Sequence, residues 1–376
     1  MQYRKFTKDK LDVSLLGFGC MRLPVLDDKS GKIDEDKATE IINYAIEKGV
    51  NYFDTAYNYL QGNSETFLGK VLKPYRDRVY IATKLPIWLV KSYEDFERLL
   101  DEQLDRLQTD YIDFYLLHNV NKDIWERIAK LDVFRFLDEA KEKGKINYAG
   151  FSFHDEFPIF KEVVDSYSWD FCQIQLNYMD KHYQAGIDGL KYAAEKDISL
   201  VIMEPIKGGR LANAPEDILE IWNRSPVKRS PAEWALRWVF NFQEVSVVLS
   251  GMRNLAEVKE NIATASNSKP NSLTEEELRL YDEVGDLYNQ RIKVGCTGCE
   301  YCIPCPSNVN IPTIFTHYNH FFVYGIEDRA KSAYKNIQEE AKDSTQCVEC
   351  GACEQVCPQN LDIIEHLKEA HRVLSS

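Results

Sequence analysis

Eight cysteines crowd between Cys296 and Cys357, and no other feature of this 376-residue chain limits its folding so tightly. The first run, CTGCEYCIPCP, supplies Cys296, Cys299, Cys302 and Cys305, followed by Pro306. The second, CVECGACEQVCP, supplies Cys347, Cys350, Cys353 and, after a longer gap, Cys357 and Pro358. Cysteines scattered along a short secreted chain would read as disulfides, whereas this spacing reads as metal ligation. Zinc sites use CxxC pairs separated by a knuckle, which gives no reason for a fourth evenly spaced cysteine ahead of a proline. Two [4Fe–4S] clusters do give one. Three thiolates on a tight loop hold three irons of one cube, and the fourth, beside proline, turns toward the other.

On that logic Cys296, Cys299 and Cys302 join Cys357, while Cys347, Cys350 and Cys353 join Cys305. The second run has the bacterial ferredoxin spacing. The first has one residue fewer before Cys305, so two self-contained sites stay open as the alternative. Gly298, Gly351 and Ala352 are small enough for backbone N–H groups to reach cluster sulfurs. CPSNVNIP after the first run and CPQNLDII after the second echo each other, with a helical segment, Glu327–Lys342, between them. This part of the chain resembles the helical dicluster type of ferredoxin domain. Cys20 and Cys172 lie far from it and read as small buried apolar residues.

From Leu15 to about Ala265, short β-branched runs alternate with segments of helical period, the pattern of βα units around a parallel sheet. The strand-like runs are Leu15–Gly19, Tyr52–Ala56, Val79–Lys84, Ile112–His118, Tyr148–Phe153, Cys172–Leu176, Leu200–Glu204 and Val245–Ser250. Eight runs predict a closed (β/α)8 TIM barrel. Helices are expected over Asp36–Lys48, Tyr93–Leu107, Asp123–Lys143, Leu190–Lys196 and Ala232–Asn241, with Gly49 and Gly144 at left-handed caps and Pro231 in a first turn. Met1–Lys10 suits a hairpin closing the barrel bottom. A charged helix over Thr274–Arg291 leads out, and the composition changes at Cys296. The expected domains are therefore 1–293, the barrel, and 294–376, a small helical ferredoxin-like domain.

In such a barrel the chemistry sits where strands end at their C-terminal edge. The second run ends Asp54-Thr55-Ala56, followed by Tyr59 and Ser64-Glu65; the third ends in Lys84 and the fourth in His118. FDTAYNYLQGNSE, IATK, YIDFYLLH and YAGFSFH, in that order, resemble the aldo-keto reductase family over roughly residues 1–270, and with the cysteine runs the whole resembles an iron–sulfur subgroup of it. Reducing a carbonyl takes a hydride on carbon and a proton on oxygen. A tyrosine releases its proton more readily beside a cation. Lys84 supplies that cation, Asp54 holds it, and His118 can hydrogen-bond the substrate oxygen.

No GxGxxG follows the first strand; Gly17-Phe18-Gly19 reads as a close-packing turn, so a Rossmann domain is not expected. The resemblance instead implies a nicotinamide dinucleotide across the barrel mouth. It assigns Ser152 and Gln173 to the carboxamide, Met203 to the place where an aromatic ring often stacks on the nicotinamide, Gly251 and Arg253 to a phosphate at a helix N-terminus, and Asn261 to the adenine. Phe153 stands where an asparagine is usual. Glu257 stands where an arginine often grips the 2′-phosphate, so both NADP and NAD stay open. Trp234 and Trp238 read as core. Lys207-Gly208-Gly209-Arg210 suits a loop over the pyrophosphate, and Trp88 and Tyr178 a substrate pocket.

A net charge of −14 and no basic stripe argue against nucleic acid. MQYRKFTKDKLD is too polar for a signal peptide, and no apolar run is long enough for a membrane span, so a cytoplasmic protein is expected. The expected function is hydride transfer between NAD(P)H and a small-molecule carbonyl or alcohol. The clusters are either a port to a one-electron, ferredoxin-like partner or structural. The other reading is a redox-responsive regulatory protein that binds nicotinamide. Substrate identity and oligomeric state are not encoded in these motifs.

Overall fold

The computed structural model describes residues 1–27 and 30–376. The chain packs as two compact units, one formed by Met1–Gly208 with Ala232–Leu273, the other by Gly209–Pro231 with Thr274–Ser376.

The first unit is a closed barrel of eight parallel strands: β1 (Leu16–Gly19), β2 (Tyr52–Asp54), β3 (Tyr80–Leu85), β4 (Ile112–Val120), β5 (Ile146–Phe153), β6 (Phe171–Gln175), β7 (Ser199–Met203) and β8 (Val245–Ser250). They are neighbours in chain order, and β8 returns to β1. The strands match the eight apolar runs because a parallel barrel strand is covered on both faces and so reads as a continuous β-branched stretch.

Its helices follow from stripes and caps. Over Glu35–Glu47 the buried positions Ala38, Ile41, Ile42, Ala45 and Ile46 form one face, and the Asp34 carboxylate accepts from the Lys37 N–H at the start. The stop is Gly49 at φ 92°, where a Cβ would meet the Tyr3 hydroxyl at 2.5 Å.

One expected helix is two. The stretch Asp123–Lys143 breaks into Lys122–Ala129 and Val133–Glu142, with Asp132 left-handed at φ 58° between them. The break falls where the buried positions skip from Ile128 to Val133, out of helical step. A short antiparallel pair, Val25–Asp27 with Lys32–Ile33, has no counterpart in the sequence pattern, being brief and mostly polar.

The N-terminal hairpin, Tyr3–Phe6 with Leu11–Ser14, closes the barrel floor as expected. Phe6 is fully buried among Tyr52, Ala82, Phe114, Phe171, Val201 and Val247, its ring 4.8 Å from that of Phe114. Burying such a side chain contributes about 1.5–3 kcal/mol. Cys20, Cys172, Trp234 and Trp238 are all buried.

In the second unit Thr274 and Glu277 form a reciprocal capping box that starts the helix Glu275–Gln290. Trp222 packs edge-on to Tyr281 at 5.0 Å, and Arg229 pairs with Glu277, which ties Gly209–Pro231 to this helix. The boundary expected near Lys293 follows composition, whereas this grouping follows packing. The helices Ile311–Tyr324, Glu327–Glu339 and Ile363–Leu374 share an apolar core of Ile314, Phe315, Tyr334, Ile363 and Leu367, among others. Among the described residues, no helix is long and apolar enough to cross a membrane.

Candidate active site and cysteine centre

Asp54 and Lys84 meet because β2 and β3 are neighbours, with Asp54 opposite Ala82. Lys84 is fully buried. Its ammonium donates to both Asp54 carboxylate oxygens at 2.8 Å and to the Thr55 carbonyl at 2.7 Å, and reaches the Tyr59 hydroxyl at 3.4 Å. Burial opposes the charge on Lys84, but Asp54 and Tyr59 outweigh it and raise its pKa. Burial likewise raises Asp54 against the pull of Lys84, so the pair titrates as a unit. Tyr59 is pushed up by burial, with Lys84 pulling the other way.

The backbone bends sharply past Tyr59: Leu60 and Gln61 are both left-handed, at φ 52° and 56°, ahead of Gly62 at φ 86°. Such residues persist only where their surroundings fix them, at a cost of about 1–3 kcal/mol each. Asn63 supplies part of the fixing by donating its amide to the Leu60 and Gly31 carbonyls at 2.7 and 3.2 Å.

His118 faces Tyr59 edge-on, with ring centroids 6.2 Å apart, and the Trp88 ring lies 5.3 Å from His118. Burial, then the charge of Lys84, drives the imidazole pKa down to about 3, so the ring is neutral at physiological pH. Its buried Nδ1 has no hydrogen-bond partner. An unpaired lone pair costs less than an unpaired N–H, which places the single proton on Nε2, where it can be donated.

A brace behind this cluster escapes sequence reading. Buried Glu65 accepts from Thr83 Oγ1 and Gln103 Nε2, each at 2.6 Å, and from Arg106 at 3.3 Å. Gln103 also donates to the Lys84 carbonyl at 3.0 Å, and the Arg106 guanidinium covers the Tyr57 ring at 3.9 Å. Glu65 closes the FDTAYNYLQGNSE motif, and Gln103 shows in the sequence as a polar residue on the stripe of Phe96, Leu99, Leu100, Leu104 and Leu107 that its helix buries.

Of the residues expected to hold a nicotinamide, Ser152, Gln173 and Met203 lie on β5, β6 and β7, Gly251 and Arg253 follow β8, and Asn261 is on the helix Leu255–Ser266. Ser152 Oγ accepts from the Asn119 N–H at 2.8 Å, which leaves its own proton to give. Gln173 is buried; its Nε2 contacts Met203 Sδ at 3.4 Å, and its Oε1 has no partner. An orphaned buried acceptor beside a hydroxyl with a proton to give fits a carboxamide, which both donates and accepts. Gly251 is lined by the Arg22 stem, and Arg22 Nη1 donates to the Gly208 carbonyl at 2.6 Å. Lys207 pairs with Asp180. Glu257 accepts from the Arg253 N–H and from Asn254 Nδ2, both at 2.8 Å. Asn261 is buried and donates to Ser250 Oγ at 3.0 Å.

The cysteines of the second unit line two hollows. One is walled by Cys296, Cys299, Cys302 and Cys357, the other by Cys305, Cys347, Cys350 and Cys353. Among the described residues, no three His, Cys, Asp or Glu side chains converge on a point as ligands of a single ion do. Thiols surrounding a space suit a cube, in which each sulfur binds a different iron. Six of the eight pack against the apolar core, while Cys299 and Cys350 are exposed. The two halves repeat in backbone as well as sequence. Gly298 and Glu349 are left-handed two residues after the first cysteine of each run, Glu300 and Gly351 four after it, and Asn308 and Asn360 three after the last.

A closed parallel barrel with a buried lysine and aspartate and a half-buried tyrosine at its mouth defines an oxidoreductase scaffold joined to a cysteine-rich unit. The sequence profile described as aldo/keto reductase family matches residues 15–286, and that described as a 4Fe-4S dicluster domain matches residues 295–362. The chain belongs to the aldo/keto reductase family and carries a 4Fe-4S dicluster domain. It is 28% identical over 313 residues to the uncharacterized oxidoreductase YqkF of Bacillus subtilis (strain 168), covering 74% of this chain and 95% of that protein. To L-galactose dehydrogenase of Arabidopsis thaliana it is 27% identical over 303 residues, covering 74% and 92%. Among solved structures, the holo form of aldo-keto reductase AKR11C1 from Bacillus halodurans matches with a TM-score of 0.63 at 29% identity, over 76% of this chain and 96% of that one.

Proposed function

We propose that the barrel reduces a small-molecule carbonyl, or oxidises the corresponding alcohol, with a nicotinamide dinucleotide as hydride carrier. The observation that carries this reading is the Lys84 ammonium, held by Asp54 and within 3.4 Å of the Tyr59 hydroxyl. Bound nicotinamide would supply a hydride to the carbonyl carbon, and the clusters a store for single electrons. Tyr59 gives its proton to the oxygen as charge develops there. Lys84 stabilises the phenolate left behind, and Asp54 keeps the ammonium charged and in place. His118 donates from Nε2 to the same oxygen, aligning the carbonyl with Tyr59. Solvent then reprotonates Tyr59.

Ser152 and Gln173 would hold the carboxamide, Met203 would lie beside the ring, and Gly251 and Arg253 would meet a phosphate. Asn261 would contact adenine through its Oδ1 or its second N–H, the first being donated to Ser250. The hollows support two [4Fe–4S] clusters with crossed ligation, Cys296, Cys299, Cys302 and Cys357 on one and Cys305, Cys347, Cys350 and Cys353 on the other. The functional boundary between barrel and cluster domain is proposed near Lys293, and the reduced thiolates suit the cytoplasm. A ferredoxin-like protein is the proposed one-electron partner.

The test is anaerobic purification with iron and sulfide counts, then a screen of aldehydes and ketones against NADH and NADPH. Oxidation of neither nucleotide by any carbonyl, in protein with its full iron content, would sink the reading.

Two further outcomes are expected. Glu257 already occupies the helix N-terminus that a 2′-phosphate would approach, so NADH should be favoured, and Glu257→Arg should raise the NADPH:NADH ratio of kcat/KM about tenfold or more. An unchanged ratio would return Glu257 to a mere helix cap. The second concerns pH. His118, needed neutral, is neutral above about pH 3, and Tyr59, needed protonated, is held above its ordinary pKa. For carbonyl reduction, kcat/KM should therefore be flat from about pH 5 to 9 and fall only as pH rises through the Tyr59 pKa. A limb near pH 6.5 that vanishes in His118→Asn would contradict this.

A further inference from the structure

Tyr59 is placed by its backbone more than by its own bonds. The hydroxyl contacts Lys84 at 3.4 Å, and a hydrogen bond that long directs little. Its position is therefore set by the turn that carries it. That turn runs through three left-handed residues in succession, Leu60, Gln61 and Gly62, and the first two have side chains that disfavour the conformation. Left alone, such a turn would relax and take the hydroxyl with it. Asn63 supplies one part of the hold, through the Leu60 carbonyl. Arg106 supplies another, from inside the turn. Reaching across from the helix Glu94–Leu107, its Nη1 donates to the Tyr57 carbonyl, just before Tyr59, at 3.2 Å. The same nitrogen donates to the Glu65 carboxylate, on the helix that follows the turn, at 3.3 Å. It also lies 3.8 Å from where a Cβ on Gly62 would stand, so the guanidinium sits against the bend itself.

We infer that Arg106 is a positioning residue for carbonyl reduction: it closes the turn that aims the Tyr59 hydroxyl, and so governs proton delivery without touching substrate. This rests on the carbonyl-reduction reading and names what gives Tyr59 its accuracy. The hold is rigid at both of its ends. Glu65 is fully buried and accepts from Thr83 Oγ1 and Gln103 Nε2, each at 2.6 Å, which fastens it to the strand that bears Lys84. On the other side the guanidinium covers the Tyr57 ring at 3.9 Å, and its Nη2 pairs with Glu102, which also accepts from the Tyr57 hydroxyl at 2.9 Å. One planar fork thus ties the start of the turn, its bend and its far end to the frame that holds the Lys84 ammonium. A lysine could keep the charge but not the fork, because an ammonium is a point charge on a flexible stem. Arg106 acts on the reaction only through that frame, and a displacement of about 1 Å in a positioned group is worth on the order of 10²-fold in rate.

The experiment is a double-substitution cycle on the full-length, iron-replete protein, using the carbonyl and nucleotide that the screen above selects. Arg106→Met keeps the stem and removes the fork. It should lower kcat about 10²-fold while the nucleotide Kd stays within about twofold of the wild type. Arg106→Lys should fall between the two, recovering part of kcat. The deciding measurement is Arg106→Met made in a Tyr59→Phe background, where no hydroxyl is left to aim. There the residual kcat should change by less than about twofold, because both substitutions remove the same proton delivery. A role in general stability would instead lower kcat by the same factor in both backgrounds. Tm and iron content establish that each variant is folded, and if Arg106→Met is not, the cycle is read with Arg106→Lys. Equal losses in the two backgrounds, or a wild-type kcat in Arg106→Met, overturn the inference while leaving carbonyl reduction intact. If Tyr59→Phe alone keeps the wild-type kcat, the role proposed above for Tyr59 falls and takes this inference with it.

Discussion

With Tyr59 replaced by phenylalanine, carbonyl reduction is expected to fall about 10²- to 10⁴-fold in kcat, the usual worth of a positioned general acid. Nucleotide binding and iron content should stay the same. The separation is available because the Tyr59 hydroxyl is held by a long contact, 3.4 Å to Lys84, so its removal should cost less than about 1 kcal/mol of stability. Lys84→Met is the informative contrast. It strands the buried Asp54 carboxylate and should cost about 3–5 kcal/mol, visible as a lowered Tm as well as lost activity. If Tyr59→Phe kept most of its activity, the proton would have to come from elsewhere, and His118 would be the group to test next.

The second large effect concerns the wiring of the cysteines. Converting Cys296 and Cys299 together to serine should remove the cluster of their hollow and roughly halve the iron content. On that background the two possible wirings give opposite results. With crossed ligation, Cys305→Ser perturbs the surviving cluster, because Cys305 lines the hollow of Cys347, Cys350 and Cys353, whereas Cys357→Ser leaves it alone. With self-contained sites the effects exchange places. EPR of the reduced protein, together with iron and sulfide counts, reads the difference directly. Single substitutions are less decisive, since a serine oxygen or a water can stand in for one missing thiolate.

Much of the barrel was legible in the sequence, for a physical reason. Each strand is covered on both faces, so a run such as Val245–Ser250 is buried throughout and mostly apolar, with Ser246 the exception inside it. The helical caps at Gly49 and Gly144 were equally legible, because glycine just past a helix end is the residue that turns left-handed at least cost. What escaped was short or non-local. The pair Val25–Asp27 and Lys32–Ile33 is too brief and polar to show a period. The break at Asp132 hides inside a continuous charged and apolar alternation.

The site divides in the same way. Asp54, Lys84 and His118 stand at or near strand ends and Tyr59 in the turn after one, where the fold itself points to them, and the structure brings the four together. Glu65, Gln103 and Arg106 come from two helices, and only folding shows that they brace Thr83, Lys84 and Tyr57. The spacing before Cys305 left two wirings open because the choice depends on how the two halves pack against each other. Asn261 shows what position alone leaves out: its amide donates to Ser250 Oγ, a contact that only the folded chain reveals.

The hollow that groups Cys357 with Cys296, Cys299 and Cys302 also bears on biogenesis. A site whose fourth wall is supplied by the second cysteine run cannot be completed while that run is still being synthesised. The nascent chain would pass through a stage with three exposed thiols and no cube to hold, vulnerable to oxidation and to stray copper or zinc. On the crossed ligation proposed above, insertion of iron and sulfide into that hollow would have to follow synthesis of the second run.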